Sequence, residues 1–92
     1  MFYYIIVPCF NSEKTISRAL KSIYKQTFKN YEIIIVDDGS KDQTSQIIND
    51  FFVERSIDYN YIYQKNKGPS FCRNLAMRLS KSKYISFIDA DD

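Results

Sequence analysis

The chain has 92 residues, 13 Lys and Arg against 11 Asp and Glu, no His and two Gly. A net charge of +2 is too small to attract nucleic acid in bulk, and the lack of His excludes His-based zinc sites and His general bases. A hydrophobic share of 45%, with eight Tyr and seven Phe, is enough for one core and one domain over residues 1–92. Two cysteines, Cys9 and Cys72, make neither a disulfide framework nor a zinc spacing and read as thiols in a reducing compartment. No apolar run approaches the ~18–20 residues needed to span a bilayer. Met1 to Val7 lacks the basic start and cleavage site of a signal peptide, so the expected location is cytoplasmic, with any membrane association carried by sequence outside these residues.

In chain order, Phe2 to Val7 is nearly continuous apolar sequence, the pattern of a strand buried on both faces, and Pro8 is expected to end it. Asn11 or Ser12 is a suitable N-cap for a helix to about Gln26, with Ile16, Leu20 and Ile23 forming an apolar stripe beside Ala19 and Tyr24. Tyr31 to Val36 is a second buried strand with a β-branched centre, ending in Asp37-Asp38-Gly39. Ser40 to Gln43 has the capping-box pattern and opens a helix to about Glu54, with Thr44, Ile47, Ile48, Phe51 and Phe52 on one side. Tyr59 to Gln64 alternates aromatic and polar residues, as an edge strand would. Asn66 to Pro69 is a turn, a third helix runs to about Leu79 on Phe71, Leu75 and Leu79, and Tyr84 to Ile88 is a fourth strand. That strand is expected beside strand one, in a central position and without a following helix to cover it.

The resulting order, β-α-β-α-β-α-β, predicts a parallel sheet with right-handed crossovers and helices on both faces, a three-layer α/β/α, Rossmann-like architecture. Ligands in such folds gather at the carboxyl ends of the strands, where strand order reverses. The polar punctuation of this chain (Pro8 to Asn11, Asp37 to Ser40, Lys65 to Gly68, Asp89 to Asp92) falls at those ends.

Each candidate group has a structural and a functional reading. One carboxylate of Asp37-Asp38 can cap the turn that Gly39 permits; the second is then available to N–H or hydroxyl donors of a ligand such as a nucleotide base. Asp89, Asp91 and Asp92 are either a solvated acidic end or hard oxygen donors for Mg²⁺ or Mn²⁺, which takes one or two carboxylates with phosphate oxygens and water. Arg73, followed by Asn74, lies either on a solvated helix face or turned towards phosphate. A Gly-rich dinucleotide fingerprint and a Walker-type phosphate loop are both absent. A phosphoacceptor receiver domain fits less well, because its acidic pair follows strand one, where this chain has Pro8-Cys9-Phe10-Asn11.

Taken in order, Ile6-Val7-Pro8-Cys9-Phe10-Asn11, Gln26-Thr27-Phe28, Tyr31 to Ser40 with Asp42 and Thr44, Gln64 to Ser70, Arg73-Asn74 and Tyr84 to Asp92 resemble the family 2 glycosyltransferases of GT-A fold over essentially the whole chain. The resemblance implies a nucleotide-diphospho-sugar donor, UDP-sugar first, a divalent cation (Mn or Mg), and a hydroxyl acceptor such as a glycan or lipid-linked sugar, in polysaccharide assembly. By position, Pro8, Phe10 and Glu13 would line the base and ribose pocket. Asp38 would contact the base, Arg73 would hold the donor, Asp89 would lie near the ribose, and Asp91, in the Asp-x-Asp motif, would bind the metal. Asp37 and Asp92 would either support the loops or stand behind the residues that touch the donor and metal. Cys9 stands where the family commonly has Val, Thr or Ser, and Cys72 where it has Ala; both read as packing residues. Family members continue beyond Asp-x-Asp into an acceptor-binding half that carries the general base, which implies that residues 1–92 are the N-terminal nucleotide-sugar-binding half, with no catalytic base and no transfer on its own. The other reading is a non-catalytic nucleotide- or metal-binding or interaction module that keeps the fold.

Overall fold

A computed structural model describes residues 3–25, 31–65, 67–79 and 84–90. The elements are β1 (Tyr3–Cys9), α1 (Ile16–Tyr24), β2 (Tyr31–Asp37), α2 (Thr44–Arg55), β3 (Asn60–Tyr63), α3 (Ser70–Leu79) and β4 (Tyr84–Phe87). The four strands pair in parallel in the order β3-β2-β1-β4, so the β-α-β-α-β-α-β reading holds.

Strand direction and handedness fix the layers. The chain steps from β1 to β2 to β3 in one direction and then returns across the sheet to β4, so right-handed crossovers put α1 and α2 on one face and α3 on the other. The core divides accordingly. Ile5, Val7, Ile33 and Ile35 pack with Ile16, Leu20 and Ile23 of α1 and Ile48, Phe51 and Phe52 of α2. The alternate positions Ile6, Ile34 and Val36 pack with Cys72 and the half-buried Phe71, Leu75 and Ala76 of α3. This is the period-two alternation of a strand applied to a sheet covered on both sides.

Local expectations fail at Pro8, at the starts of α1 and α2, at Tyr24 and in the position of β4. β1 runs through Pro8 to Cys9, with Pro8 opposite Val36 of β2. Register with β4 ends at Ile6 opposite Phe87, followed by one further bond from Ile88 N to the Ile6 carbonyl at 3.0 Å. The next donor in that parallel ladder would be residue 8, and proline has no N–H to give. Pro8 therefore ends the pairing with β4, not the strand.

The first helix starts at Ile16 rather than at Asn11 or Ser12. Asn11 has φ 46, in the left-handed region, and the Ser12 hydroxyl bonds the Phe10 N–H and carbonyl. The helix end near Gln26 falls outside the described residues, and Tyr24 is 54% exposed rather than part of the buried stripe. Nor does the Ser40–Gln43 capping box form. Ser40 Oγ accepts from Asn11 N at 2.8 Å, and α2 opens at Thr44, whose N–H donates to Asp42 Oδ1 at 2.9 Å. Finally, β4 lies beside β1 as expected, but at the outer position of the described sheet, and Tyr84 and Phe87 are exposed. Asn66 and the side chain of Leu79 fall outside the description, and no helix among the described residues is long and apolar enough to cross a membrane.

Leu20 is fully buried between the sheet and α2, whereas Val53 on the outer side of α2 is 66% exposed. Leu20→Ala is expected to cost about 2–5 kcal/mol through lost transfer energy and a cavity. Val53→Ala should stay within about 0.5 kcal/mol. Denaturant midpoints of the two variants, at unchanged m-value, check the contrast.

Candidate functional site

The order β3-β2-β1-β4 reverses between β1 and β4, and the carboxyl ends of these strands part there because Pro8 supplies no ladder donor. A cleft of about 390 Å³ occupies this switch point. Its walls come from the end of β1 (Pro8, Cys9, Phe10), the end of β2 (Val36, Asp38), Gln64 after β3, Gly68, Pro69 and Cys72 at the start of α3, and Phe87 and Asp89 from β4 and its continuation.

Adjacent residues at a strand end face opposite sides of the sheet, and the two carboxylates after β2 divide their tasks on that basis. Asp37 is fully buried; its Oδ1 accepts from Ser40 N at 2.9 Å and its Oδ2 from the Tyr61 hydroxyl. Burial, followed by the Asp37 carboxylate, holds the Tyr61 phenol well above its ordinary range, so it remains a donor. Gly39, with φ 92, supplies the left-handed turn between these groups. Asp37 is thus the structural carboxylate of the pair.

Asp38 faces the α3 side. Its Oδ1 accepts from Lys67 N at 2.7 Å and Gln64 Nε2 at 3.2 Å, and its Oδ2 accepts from Gly68 N at 3.0 Å. Its own N–H donates to the Cys9 carbonyl at 2.9 Å, which ties β2 to the end of β1. Burial pushes the Asp38 carboxyl up, but the Lys67, Gly68 and Gln64 donors outweigh it and leave the group below its ordinary value. Asp38 is therefore an ionised acceptor on the cleft wall at neutral pH. Gly68, with φ 69, allows the loop to turn its N–H inward.

The loop between β1 and α1 is fastened from two directions. Ser12 N donates to Thr44 Oγ1 at 2.8 Å, Glu13 N to Asp42 Oδ2 at 3.3 Å, and Lys41 N to Asn11 Oδ1 at 2.9 Å. The Thr15 hydroxyl donates to the carbonyl of Ala90, so the segment leaving β4 docks on the start of α1 with Ala90 fully buried. Asp89, one residue earlier, is exposed on the cleft wall.

Of the residues singled out in the sequence, the structure brings Pro8, Phe10, Asp38 and Asp89 to one cleft. Glu13 and Arg73 are exposed and form no part of its described wall; Arg73 contributes a backbone bond from its N–H to the Pro69 carbonyl. Asp91 and Asp92 lie outside the described residues, and among the described ones no group of three or more His, Cys, Asp or Glu side chains is placed to hold a metal. Cys9 and Cys72 are both buried and joined by no disulfide. Burial first, and the Asp38 carboxylate second, push the Cys72 thiol up, which fits packing rather than nucleophilic chemistry. Gln64 is the site residue that sequence reasoning left without a role. Its position at the carboxyl end of a strand was the available signal.

A parallel sheet with this crossover pattern and an acidic cleft at its switch point is a doubly wound α/β arrangement, and its likeness to solved glycosyltransferases at TM-scores of 0.80 and 0.81 makes it the GT-A class of that fold. The family model described as "Glycosyl transferase family 2" matches residues 4–92, and the chain belongs to that family. Among curated relatives, the glycosyltransferase GlyA of Streptococcus pneumoniae is 39% identical over 90 residues, covering 96% of this chain and 12% of GlyA. The poly(ribitol-phosphate) beta-N-acetylglucosaminyltransferase TarS of Staphylococcus aureus is 35% identical over 94 residues, covering all of this chain and 16% of TarS. The chain therefore spans less than a fifth of the length of these relatives. A crystal structure of TarS 1–349 in complex with UDP-GlcNAc superposes with TM-score 0.80 at 34% identity, over 99% of this chain and 27% of that one. The mannosyltransferase PcManGT of Pyrobaculum calidifontis, solved with GDP-Man and Mn²⁺, gives TM-score 0.81 at 24% identity, over 97% of this chain and 27% of that one, a likeness of fold.

The depressed titration of Asp38 and Asp42 sets the acid behaviour. A carboxylate whose folded pKa lies below its unfolded value contributes stability that is present above about pH 4 and lost as pH falls through the folded pKa. Acid unfolding of Asp38→Asn is expected to be less steep in pH below about 4 than that of the native chain, with lower stability at pH 7. Tyr61→Phe leaves a buried carboxylate oxygen of Asp37 without its donor and should cost about 1–3 kcal/mol at pH 7 in chemical denaturation.

Proposed function

We propose that residues 1–92 are the nucleotide-sugar-binding half of a glycosyltransferase that transfers a sugar from a nucleotide-diphospho-sugar to a hydroxyl acceptor, with inversion and with a divalent cation. The observation that carries this reading is the ionised Asp38 on the wall of the switch-point cleft, with Asp89 on the same wall. An anionic acceptor recognises base N–H groups, and a carboxylate at the β4 end suits ribose hydroxyls. Family membership and the TarS structures, one with UDP and one with UDP-GlcNAc, support the donor class, with UDP-sugar as the first candidate. Pro8 and Phe10 would form the apolar wall for the base; Glu13 and Arg73 would join only if their loops turn inward on the donor.

The donor set suits a hard cation. Asp89 opens onto the cleft, and Asp91 follows two residues later; Mg²⁺ or Mn²⁺ needs one or two carboxylates when a diphosphate and water complete its shell. Asp91 would hold it, and when bound the cation stabilises negative charge on the departing diphosphate. Inverting transfer also needs a base within hydrogen-bond reach of the acceptor hydroxyl. No carboxylate of these residues matches the family position for that base, so this reading assigns it to the acceptor-binding half and expects the 92 residues to bind donor without transferring it. A cytoplasmic setting accords with two buried cysteines that form no disulfide.

Calorimetry with UDP, with and without Mn²⁺, tests the assignment. Asp38→Ala should weaken UDP about tenfold or more in either condition, through loss of a charge-assisted bond. Asp91→Ala should abolish the gain that Mn²⁺ gives while sparing metal-free binding. Equal Mn²⁺-dependent affinity in the native chain and Asp91→Ala would remove Asp91 as the ligand, and sugar transfer by the native 92-residue chain would sink the division of labour.

A further inference from the structure

Asp38 meets the cleft with most of its accepting capacity used. An ionised carboxylate offers about four lone-pair positions, two on each oxygen, and donates nothing. Lys67 N and Gln64 Nε2 both donate to Oδ1, and Gly68 N donates to Oδ2. Oδ1 is filled, and one position on Oδ2 is left for a ligand.

Gln64 decides that count. The residue is 8% exposed and lies in the cleft wall. Only its amide nitrogen can face a carboxylate, so the orientation of the amide is set by Asp38, and the consequence is a buried Oε1 with no hydrogen-bond partner among the described residues. A buried acceptor without a donor is destabilising. The bond to Asp38 fixes which end of the amide faces the carboxylate.

We infer that Gln64, by filling Oδ1, makes Asp38 a reader of a single N–H, so that the cleft selects a uracil-type imide base over guanine. The inference rests on the nucleotide-binding reading above and narrows it to the base. Guanine presents N1–H and an exocyclic amine side by side, an edge that fits a carboxylate with both oxygens open. Against Asp38 as it stands, the second donor would be desolvated without an acceptor, the type of loss that discriminates most strongly between ligands. An imide has one N–H, made acidic by its two flanking carbonyls, and needs one acceptor. Adenine's edge offers a less acidic amine N–H and should form the weaker charge-assisted bond. Gln64 acts through Asp38 and is a positioning residue for specificity.

Calorimetry of the full chain with UDP, GDP, ADP and N3-methyl-UDP tests this. UDP should bind at least about tenfold more tightly than the other three. Gln64→Met removes the amide and its orphaned oxygen at similar volume and reopens a position on Oδ1. The UDP preference over GDP should then narrow to about threefold or less, because GDP gains an acceptor for its second donor. A merely structural role for Gln64 would weaken both nucleotides together and leave their ratio alone. GDP binding as tight as UDP in the native chain, unaltered affinity for N3-methyl-UDP, or an unchanged ratio in Gln64→Met overturns the inference while the nucleotide reading stands. Failure of every nucleotide to bind overturns both, and the N3-methyl comparison needs no variant at all.

Discussion

Two carboxylates placed side by side at the end of a strand cannot serve the same face, and the carboxyl edge of this sheet is built on that constraint. Asp37 turns towards the α1 and α2 side, where Ser40 N and the Tyr61 hydroxyl take up its charge. Asp38 turns towards α3, where Lys67, Gly68 and Gln64 do the same. The pair would repel strongly in a dry environment. Here each oxygen is met by directed donors, and each set of donors belongs to a loop that must be fixed for a site to exist. The Asp37 set closes the turn into α2 and ties it to β3. The Asp38 set brings the entry to α3 against the cleft.

The large features of the fold could be read because they depend on patterns repeated over many residues. Ile5 to Val7 and Ile33 to Val36 could be little else than strands buried on both faces, and the stripe Ile16, Leu20, Ile23 fixes the inner side of α1. Handedness then decides which helices share a face without further information from the sequence. Helix starts were less legible, for a specific reason. Asn11, Ser12 and Ser40 are good local caps, and each satisfies a group elsewhere: Asn11 and Ser40 bond one another's loops, and Ser12 closes a turn on Phe10. For Asn11 and Ser40, local propensity lost to contacts about thirty residues apart in the chain, which no window of sequence displays. For Ser12 it lost to a competing turn two residues back.

The site divides along the same line. Pro8, Phe10, Asp38 and Asp89 stand at strand ends, and the topology alone carries them to one cleft. Glu13 and Arg73 sit on a loop and on the outer part of a helix, where side-chain direction depends on details of the turn, and neither reaches the described wall. Gln64 went unassigned because a neutral amide has no distinctive chemistry in a sequence. Its weight comes from one geometric fact, a bond to a neighbouring carboxylate made while its own oxygen finds no partner among the described residues.

Pro8 shows how a single residue links the sheet to the site. In most central strands a proline removes a ladder bond at a net loss. In β1 the missing N–H falls where the sheet must open, since β1 and β4 have to part for anything to lie between their ends. Ile88 still bonds Ile6, so the strands remain joined up to the last usable position. Beyond it the Thr15 hydroxyl captures the Ala90 carbonyl and sends the β4 continuation towards α1. Asp89 is thereby held between two anchored neighbours, on the wall of the opening that Pro8 creates. The pairing defect and the placement of the acidic residue are one structural event, and the cleft follows from where the ladder stops.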